Sequence, residues 1–149
     1  MTALPGFEDG EYRARTEAAQ RRMNAAGIDA LLLTTEPDVR YFSGFLTRFW
    51  ESPTRAWFLI VPASGKPVAV IPEIGAHLMA QTWLDDIRTW PAPDFADDGV
   101  QLLARTLSDV AGPGGRIGLP SGPETHLRMP LAAFEALKAQ VPAMAFGED

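Results

Sequence analysis

Short runs of apolar residues alternate with amphipathic segments along the whole chain, and this alternation limits the possible folds more than any other feature. A continuous apolar run of strand length is typical of a strand that is buried on both faces of a sheet. Amphipathic segments with helical spacing are typical of helices that cover such a sheet. The pattern therefore predicts an α/β domain, a three-layer α/β/α arrangement with a mixed sheet between helices.

The amino-terminal part of the chain shows the pattern in its simplest form. From Glu8 to Ala26, small and apolar residues recur at three- and four-residue spacing between charged residues, which predicts an amphipathic helix. Gly27 follows at the position where a left-handed residue ends many helices. The largely apolar segment 28–33 comes next and predicts a buried strand.

The remaining elements are predicted by the same reasoning. Two apolar runs joined by a Gly-containing turn indicate an antiparallel hairpin. The predicted strands after the first are 57–61, 67–71, 87–90, 116–119 and an edge strand in the tail 143–149. The predicted helices after the first are 38–42, 74–83, one from Asp97 and Asp98 to Val110, and 130–141. Trp83 is expected on the core face of its helix, and Trp90 at a sheet edge.

The length and composition favour one domain spanning residues 1–149. A chain of 149 residues can bury one substantial core but is short for two. The apolar fraction of 46% and the charged fraction of 21% are those of a globular protein. Neither an internal repeat nor a low-complexity linker divides the sequence.

Charge and composition exclude several classes of function. With 13 Lys and Arg against 19 Asp and Glu, the net charge is −6, so no nucleic-acid partner is expected. The absence of cysteine removes disulfides, thiolate nucleophiles and sulfur-ligated metal sites. No segment has the pattern of a signal peptide or a membrane span. We therefore expect a cytoplasmic location and no membrane partner.

Motifs for catalysis are missing. His77 and His126 are far apart and do not form a His-Glu-x-x-His zinc motif, and the glycines of segment 112–115 lack the ending of a phosphate-binding loop. No serine lies in a Gly-x-Ser-x-Gly elbow. The pairs Asp85-Asp86 and Asp97-Asp98 are better explained as solvated carboxylates near element ends than as cation ligands. No catalytic or metal-binding residue is therefore predicted.

The segment between Gly44 and Trp57 is the candidate functional loop. It combines aromatic and cationic side chains near Pro53, and its candidate residues are Arg48, Phe49, Trp50 and Arg55. Such a composition is typical of an interface anchor or of a pocket that grips a carboxylate. The alternative is that the aromatic residues pack in the core of the domain and the arginines are simply exposed. Tyr41, Phe42 and Phe45, just before the loop, are predicted to be core residues.

Four motifs in order resemble a known family. They are Tyr12-x-x-Arg15, Gln20-x-x-Met23, Gly27-Ile-Asp-Ala-Leu-Leu-Leu33 and Tyr41-Phe-Ser-Gly-Phe45. Their order and spacing resemble the amino-terminal domain of the creatinase, prolidase and aminopeptidase P family. The resemblance extends from about Phe7 to the end of the chain and is strongest before Ile71.

The resemblance implies an α/β/α domain with a ribonuclease H-like motif, followed in full-length members by a "pita-bread" catalytic domain. That second domain holds two divalent metal ions (Mn, Zn or Co) on Asp, Asp, His, Glu and Glu. The catalytic domain would be absent from this chain, so we expect the chain itself to bind no cofactor. By position, Phe49, Trp50 and Arg55 match a creatinase loop whose aromatic and arginine side chains reach a substrate carboxylate across the dimer. The loop differs here in length and contains Pro53.

The sequence thus predicts a non-catalytic front domain of a metal-dependent Xaa-Pro aminopeptidase or dipeptidase. The expected partners are the C-terminal catalytic domain of the same protein, a second copy in a homodimer, and a small peptide or small-molecule substrate. The expected contributions of this domain are dimer contacts and substrate gating. The alternatives are a stand-alone binding or assembly module, or the front domain of a creatinase-type amidinohydrolase or a non-peptidase lyase. The sequence that follows Asp149 in the gene distinguishes the first alternative from the others.

Overall fold

A computed structural model describes residues 6–51 and 55–147 of the chain. Six strands and five α-helices alternate along this part, as the sequence pattern predicts. The helices are α1 (Asp9–Ala26), α2 (Glu36–Ser43), α3 (Ala76–Met79), α4 (Val100–Ala111) and α5 (Leu131–Gln140). The strands are β1 (Ala30–Leu33), β2 (Phe58–Pro62), β3 (Val68–Pro72), β4 (Ile87–Trp90), β5 (Arg116–Gly118) and β6 (Ala145–Phe146).

The six strands of the described ranges form one mixed sheet in the order β4-β3-β2-β1-β5-β6. Strand β2 is antiparallel to both of its neighbours, with Ala30 opposite Pro62 and Phe58 opposite Val70. The pairs β1 with β5, β5 with β6, and β3 with β4 are parallel. The amino end of β2 therefore lies at the same edge of the sheet as the carboxyl ends of the other strands. We call this side the carboxyl edge.

Two apolar clusters cover the two faces of the sheet and confirm the predicted three-layer arrangement. Helices α1, α2 and α3 pack on one face, where the buried residues include Tyr12, Phe42 and Met79. Helices α4 and α5 pack on the other face, where they bury Leu107 and Leu137. Strands β2 and β3 are buried along their whole length because both faces are covered. Burial of this kind is the main source of stability in such a domain.

Helix α1 is connected to the hairpin by a buried polar side chain. The Nε2 atom of Gln20 donates to the carbonyl oxygens of Pro62 and Gly65 at 3.0 and 2.8 Å. Gly27 ends the helix with a φ of 70°, which confirms the predicted left-handed cap. These two hydrogen bonds explain why a polar residue, Gln20, is buried on the inner face of α1.

The structure corrects two local predictions. The predicted helix 74–83 is instead a 3₁₀ turn, Glu73–Gly75, followed by the short α3. Helix α3 ends early because the Thr82 hydroxyl donates to the Met79 carbonyl oxygen and accepts the Leu84 N–H. Trp83 is buried as predicted, but it lies beyond that helix.

The second correction concerns Tyr41, which is predicted to be a core residue but is half exposed. Its ring lies 4.6 Å from the guanidinium of Arg15, and its carbonyl oxygen accepts an Arg15 N–H at 3.0 Å. Phe42 and Phe45 are buried, as predicted. Pro53 and the last two residues of the predicted tail strand lie outside the described residues, whereas β6 confirms the strand itself.

None of the helices in the described ranges is long and apolar enough to span a lipid bilayer.

Candidate functional site

The candidate loop leaves α2 and reaches the carboxyl edge of the sheet at the start of β2. Gly44 ends α2 with a φ of 76°, a conformation that favours glycine. A Cβ atom at Gly44 would lie 2.5 Å from the hydroxyl oxygen of Tyr12, so the space is also closed to a side chain. A 3₁₀ turn, Arg48–Glu51, follows. Tyr12 and Gly44, which belong to the first and the last of the four sequence motifs, are therefore in direct contact.

Aromatic rings from the loop pack around Trp57, just before β2. The ring of Phe49 is stacked on Trp57 with a centroid distance of 6.1 Å and an interplanar angle of 17°. Trp50 and Phe45 are tilted against Trp57 at 6.1 and 5.6 Å. Phe49 remains 44% exposed, whereas Trp50 is 8% exposed. The loop therefore offers one aromatic face to its surroundings and uses the other rings in its own core.

Two indole N–H groups in this cluster have no hydrogen-bond acceptor among the residues that the structure describes. They are the Nε1 groups of Trp50 and Trp57, both buried. In contrast, Trp83 donates to the Phe42 carbonyl oxygen at 2.8 Å, and Trp90 donates to the Asp98 carboxylate at 3.2 Å. A buried donor without an acceptor is unfavourable. The cluster around Trp57 is thus the part of the described core where polar groups are least satisfied.

Arg55 connects the loop to the segment before α4. Its guanidinium forms an ion pair with Asp98 at 3.4 Å, and its side chain is 26% exposed. The carbonyl oxygen of Arg55 accepts a hydrogen bond from Arg128 Nη1 at 2.9 Å. The Arg128 guanidinium in turn lies 5.7 Å from the centre of the Trp50 ring. Arg55 is therefore held in place by residues from two other parts of the chain.

Two cavities open next to Arg55. The smaller one, which we call the aromatic pocket, has a volume of about 190 Å³ and is lined by Phe49, Arg55, Trp57, Ile74 and Pro93, among others. The larger one, which we call the carboxyl-edge groove, has a volume of about 500 Å³. Its lining includes Arg55, Phe58, Asp97, Asp98, Arg128 and Ala133.

The structure brings together only some of the predicted site residues. Phe49 and Arg55 line the aromatic pocket, whereas Arg48 and Trp50 are not among its lining residues. Arg48 is exposed at the start of the 3₁₀ turn, and Trp50 is buried between Trp57 and Arg128. The alternative interpretation, packing in the core, therefore describes Trp50, whereas Phe49 and Arg55 line a pocket.

The described residues do not fit a metal centre. No group of three His, Asp or Glu side chains in the ranges 6–51 and 55–147 is placed so that it could hold an ion. Of the two histidines, His77 lies in α3 and His126 lies in the segment before α5. We therefore derive no metal-dependent step from these residues.

Residues of the segment before α5 were not found from the sequence. Arg128 touches the candidate loop at Arg55 and Trp50, although it is more than seventy residues away in the chain. Its sequence context, between the turn 120–124 and a helix, resembles an ordinary loop. The parallel pairing of β1 with β5 brings this segment to the carboxyl edge, which local sequence does not reveal.

Comparison with known proteins agrees with the family resemblance of the four sequence motifs. The model of the creatinase/prolidase N-terminal domain family matches residues 15–148. No curated protein matches the sequence.

Solved structures share the fold. Dipeptidase PepE from Mycobacterium ulcerans is 24% identical with a TM-score of 0.69, and the match covers 95% of this chain and 35% of that one. A prolidase from Thermococcus sibiricus is 17% identical with a TM-score of 0.74, again over 95% and 35% of the two chains. The N-terminal domain of an Xaa-Pro dipeptidase from Lactobacillus brevis is 17% identical with a TM-score of 0.70, over 88% and 90%. This chain thus spans about a third of the length of the first two proteins.

Proposed function

Because this chain belongs to the creatinase/prolidase N-terminal domain family, we propose that it is the non-catalytic front domain of a metal-dependent Xaa-Pro aminopeptidase or dipeptidase. In this proposal the domain contributes dimer contacts and substrate gating. A C-terminal catalytic domain would hold the two divalent metal ions, whose chemistry is to polarise the scissile carbonyl group and supply hydroxide.

The observation that carries the gating proposal is the convergence of Phe49 and Arg55 on the aromatic pocket. A guanidinium can bind a carboxylate through two parallel hydrogen bonds, and an exposed aromatic ring can pack against an apolar substrate side chain. Arg55 is oriented by its ion pair with Asp98 at 3.4 Å. Together the two side chains suit contact with the carboxylate end of a short peptide.

The exposed apolar side chains support the proposed dimer contacts. Phe49, Ile74 and Phe95 are 44%, 66% and 95% exposed. Phe49 and Ile74 line the same pocket, and Phe95 follows two residues after Pro93, which also lines it. Large apolar side chains grouped on one side of a domain favour burial against another protein surface. Trp57, whose buried N–H has no acceptor among the described residues, lines the same pocket.

The gating proposal is tested in the full-length protein with Arg55→Ala. We expect the ratio of kcat/KM for a dipeptide to that for a longer peptide to fall by about tenfold or more, because a charge-assisted contact with the terminal carboxylate is lost. Arg88→Ala is the control, since it removes another ion-paired arginine, at the β4 edge of the sheet. An unchanged ratio in the Arg55 variant contradicts gating by this residue.

A further inference from the structure

We propose that the carboxyl-edge groove binds a small zwitterion with an apolar body, of the chemical class of free aliphatic amino acids. This site goes beyond the proposed gating function because it requires only the residues of this chain. It shares Arg55 with the aromatic pocket, but its other lining residues are different.

The first reason is the position of the groove in the fold. Its walls come from residues that directly precede β2, residues that follow β4, and residues that follow β5. All three segments meet at the carboxyl edge, since β2 runs opposite to its neighbours. In open α/β sheets, ligands bind in crevices outside the carboxyl ends of the strands. The groove occupies such a crevice.

The second reason is the size and the floor of the groove. Its volume of about 500 Å³ is within the range of small-molecule sites. Phe58 and Val100 are buried at its base, and Leu127, Met129 and Ala133 add half-buried apolar surface. An apolar floor of this kind favours a ligand with a hydrocarbon body, because binding removes apolar surface from water on both partners.

The third reason is that charges of both signs line the groove. Arg55 and Arg128 supply two guanidinium groups, and Asp97 and Asp98 supply two carboxylates, of which Arg55 and Asp98 also pair with each other at 3.4 Å. A ligand with only a negative charge would meet the two carboxylates, and a ligand with only a positive charge would meet the two guanidinium groups. A zwitterion satisfies both, with its carboxylate toward the arginines and its ammonium group toward the aspartates.

The fourth reason is that these charged groups are already held in place. The Asp97 carboxylate accepts the Gln101 N–H at the start of α4, and Asp98 accepts the Trp90 N–H. The Arg128 backbone N–H donates to Thr34 Oγ1 at 2.6 Å, and its guanidinium donates to the Arg55 carbonyl oxygen. A guanidinium carries five N–H donors, so it can hold an internal partner and a ligand carboxylate together. Preorganised polar groups lower the entropic cost of binding.

The ligand class is tested by titrating this 149-residue chain alone and following backbone amide shifts by NMR. We expect L-leucine to bind saturably below about 10 mM. N-acetyl-L-leucine lacks the ammonium group, L-leucinamide lacks the carboxylate and glycine lacks the apolar body, so each should bind at least about tenfold more weakly. Absence of saturable L-leucine binding overturns the proposal, as does binding of N-acetyl-L-leucine or L-leucinamide with the affinity of L-leucine. Either result leaves the gating proposal untouched, because no catalytic domain is present.

The location is tested by filling the groove. Ala133→Trp places a large ring on the groove wall, whereas Ala132→Trp adds the same ring at an exposed neighbour on α5 that is not among the lining residues. We expect the Ala133 variant to lose L-leucine binding by at least about tenfold and the Ala132 variant to keep it. Equal affinity of the two variants, with both folded by circular dichroism, overturns the assignment to this groove. If Ala133→Trp does not fold, the assignment to this groove is tested by the amide shifts that L-leucine causes in the unsubstituted protein. The largest shifts must lie at residues 97–98 and 127–133, and shifts centred elsewhere overturn the assignment.

Discussion

The Thr34 hydroxyl accepts a hydrogen bond from the backbone N–H of Arg128 at 2.6 Å, across 94 residues of sequence. Thr34 is fully buried directly after β1, and Arg128 lies in the segment that leads from β5 to α5. This bond fixes that segment at the carboxyl edge, beside the candidate loop.

Replacement of Thr34 by valine should therefore destabilise the domain. The shape of the side chain is kept while the acceptor is lost, so we expect the free energy of unfolding to fall by about 1–2 kcal/mol. Urea denaturation followed by circular dichroism measures the change. Thr34→Ser keeps the hydroxyl and should recover most of the loss attributed to the hydrogen bond. Equal stability of the valine variant and the parent would show that the bond contributes nothing.

Gly44→Ala should be more damaging than the same change at another left-handed glycine. Both Gly44 and Gly65 have positive φ, but only Gly44 would place its Cβ against the Tyr12 ring. We expect a loss of about 1 kcal/mol for Gly65→Ala from backbone strain, and at least about 2 kcal/mol for Gly44→Ala from strain and contact together. Thermal and urea unfolding of both variants test this order. Similar losses at the two positions would mean that the Tyr12 contact relaxes at no cost.

Truncation of Trp50 and Phe49 should separate the buried and exposed parts of the candidate loop. Trp50 is 8% exposed, so Trp50→Ala should lower the free energy of unfolding by about 3 kcal/mol. Phe49 is 44% exposed, and Phe49→Ala should cost about 1 kcal/mol through the lost stacking on Trp57. Chemical denaturation of the two variants gives the comparison. A larger loss for Phe49 than for Trp50 contradicts the described packing.

Arg88 should make a small contribution to stability that does not vary with pH near neutrality. Hydrogen bonds to Asp86 and Asp109 raise the pKa of the Arg88 guanidinium above its ordinary value. A group whose pKa is raised on folding stabilises the fold fully below its unfolded pKa, which for arginine lies far above neutral pH. Because Arg88 is partly exposed, we expect Arg88→Ala to cost only about 0.5 kcal/mol.

The measurement for Arg88 is urea unfolding of the parent and variant at about pH 6 and about pH 9. The stability difference should be the same at both values. Arg22→Ala, at an exposed position of α1, provides the control for loss of a surface charge. A difference that grows between these two pH values would contradict a permanently charged Arg88.

Local sequence signals predicted most of the fold. The cap at Gly27, the hairpin of β2 and β3, and the edge strand β6 each depend on residues that are close in sequence, and the structure confirms them. The start of α3 could not be predicted in this way. A Cβ atom at Gly75 would collide with the Trp57 ring, so close packing between distant residues shapes that region.

The candidate site was only partly predictable for the same reason. Phe49 and Arg55 belong to one continuous loop with an unusual composition, which a sequence pattern can reveal. The carboxyl-edge groove instead combines that loop with Asp98 and Arg128, whose neighbours in sequence carry no distinctive signal. Asp97 accepts a helix N–H, as its position at a helix start predicts. Asp98 instead has a positive φ of 48° and pairs with Trp90 and Arg55, which only the tertiary structure shows.

The reversed direction of β2 has a consequence for how this scaffold can diversify. Since β2 starts at the carboxyl edge, the loop between α2 and β2 ends at the rim where α4 and α5 start. Insertions or deletions in that loop can change what the rim recognises without shifting the register of any strand. New specificity can thus evolve at one rim of the domain while the buried layers keep their sequence.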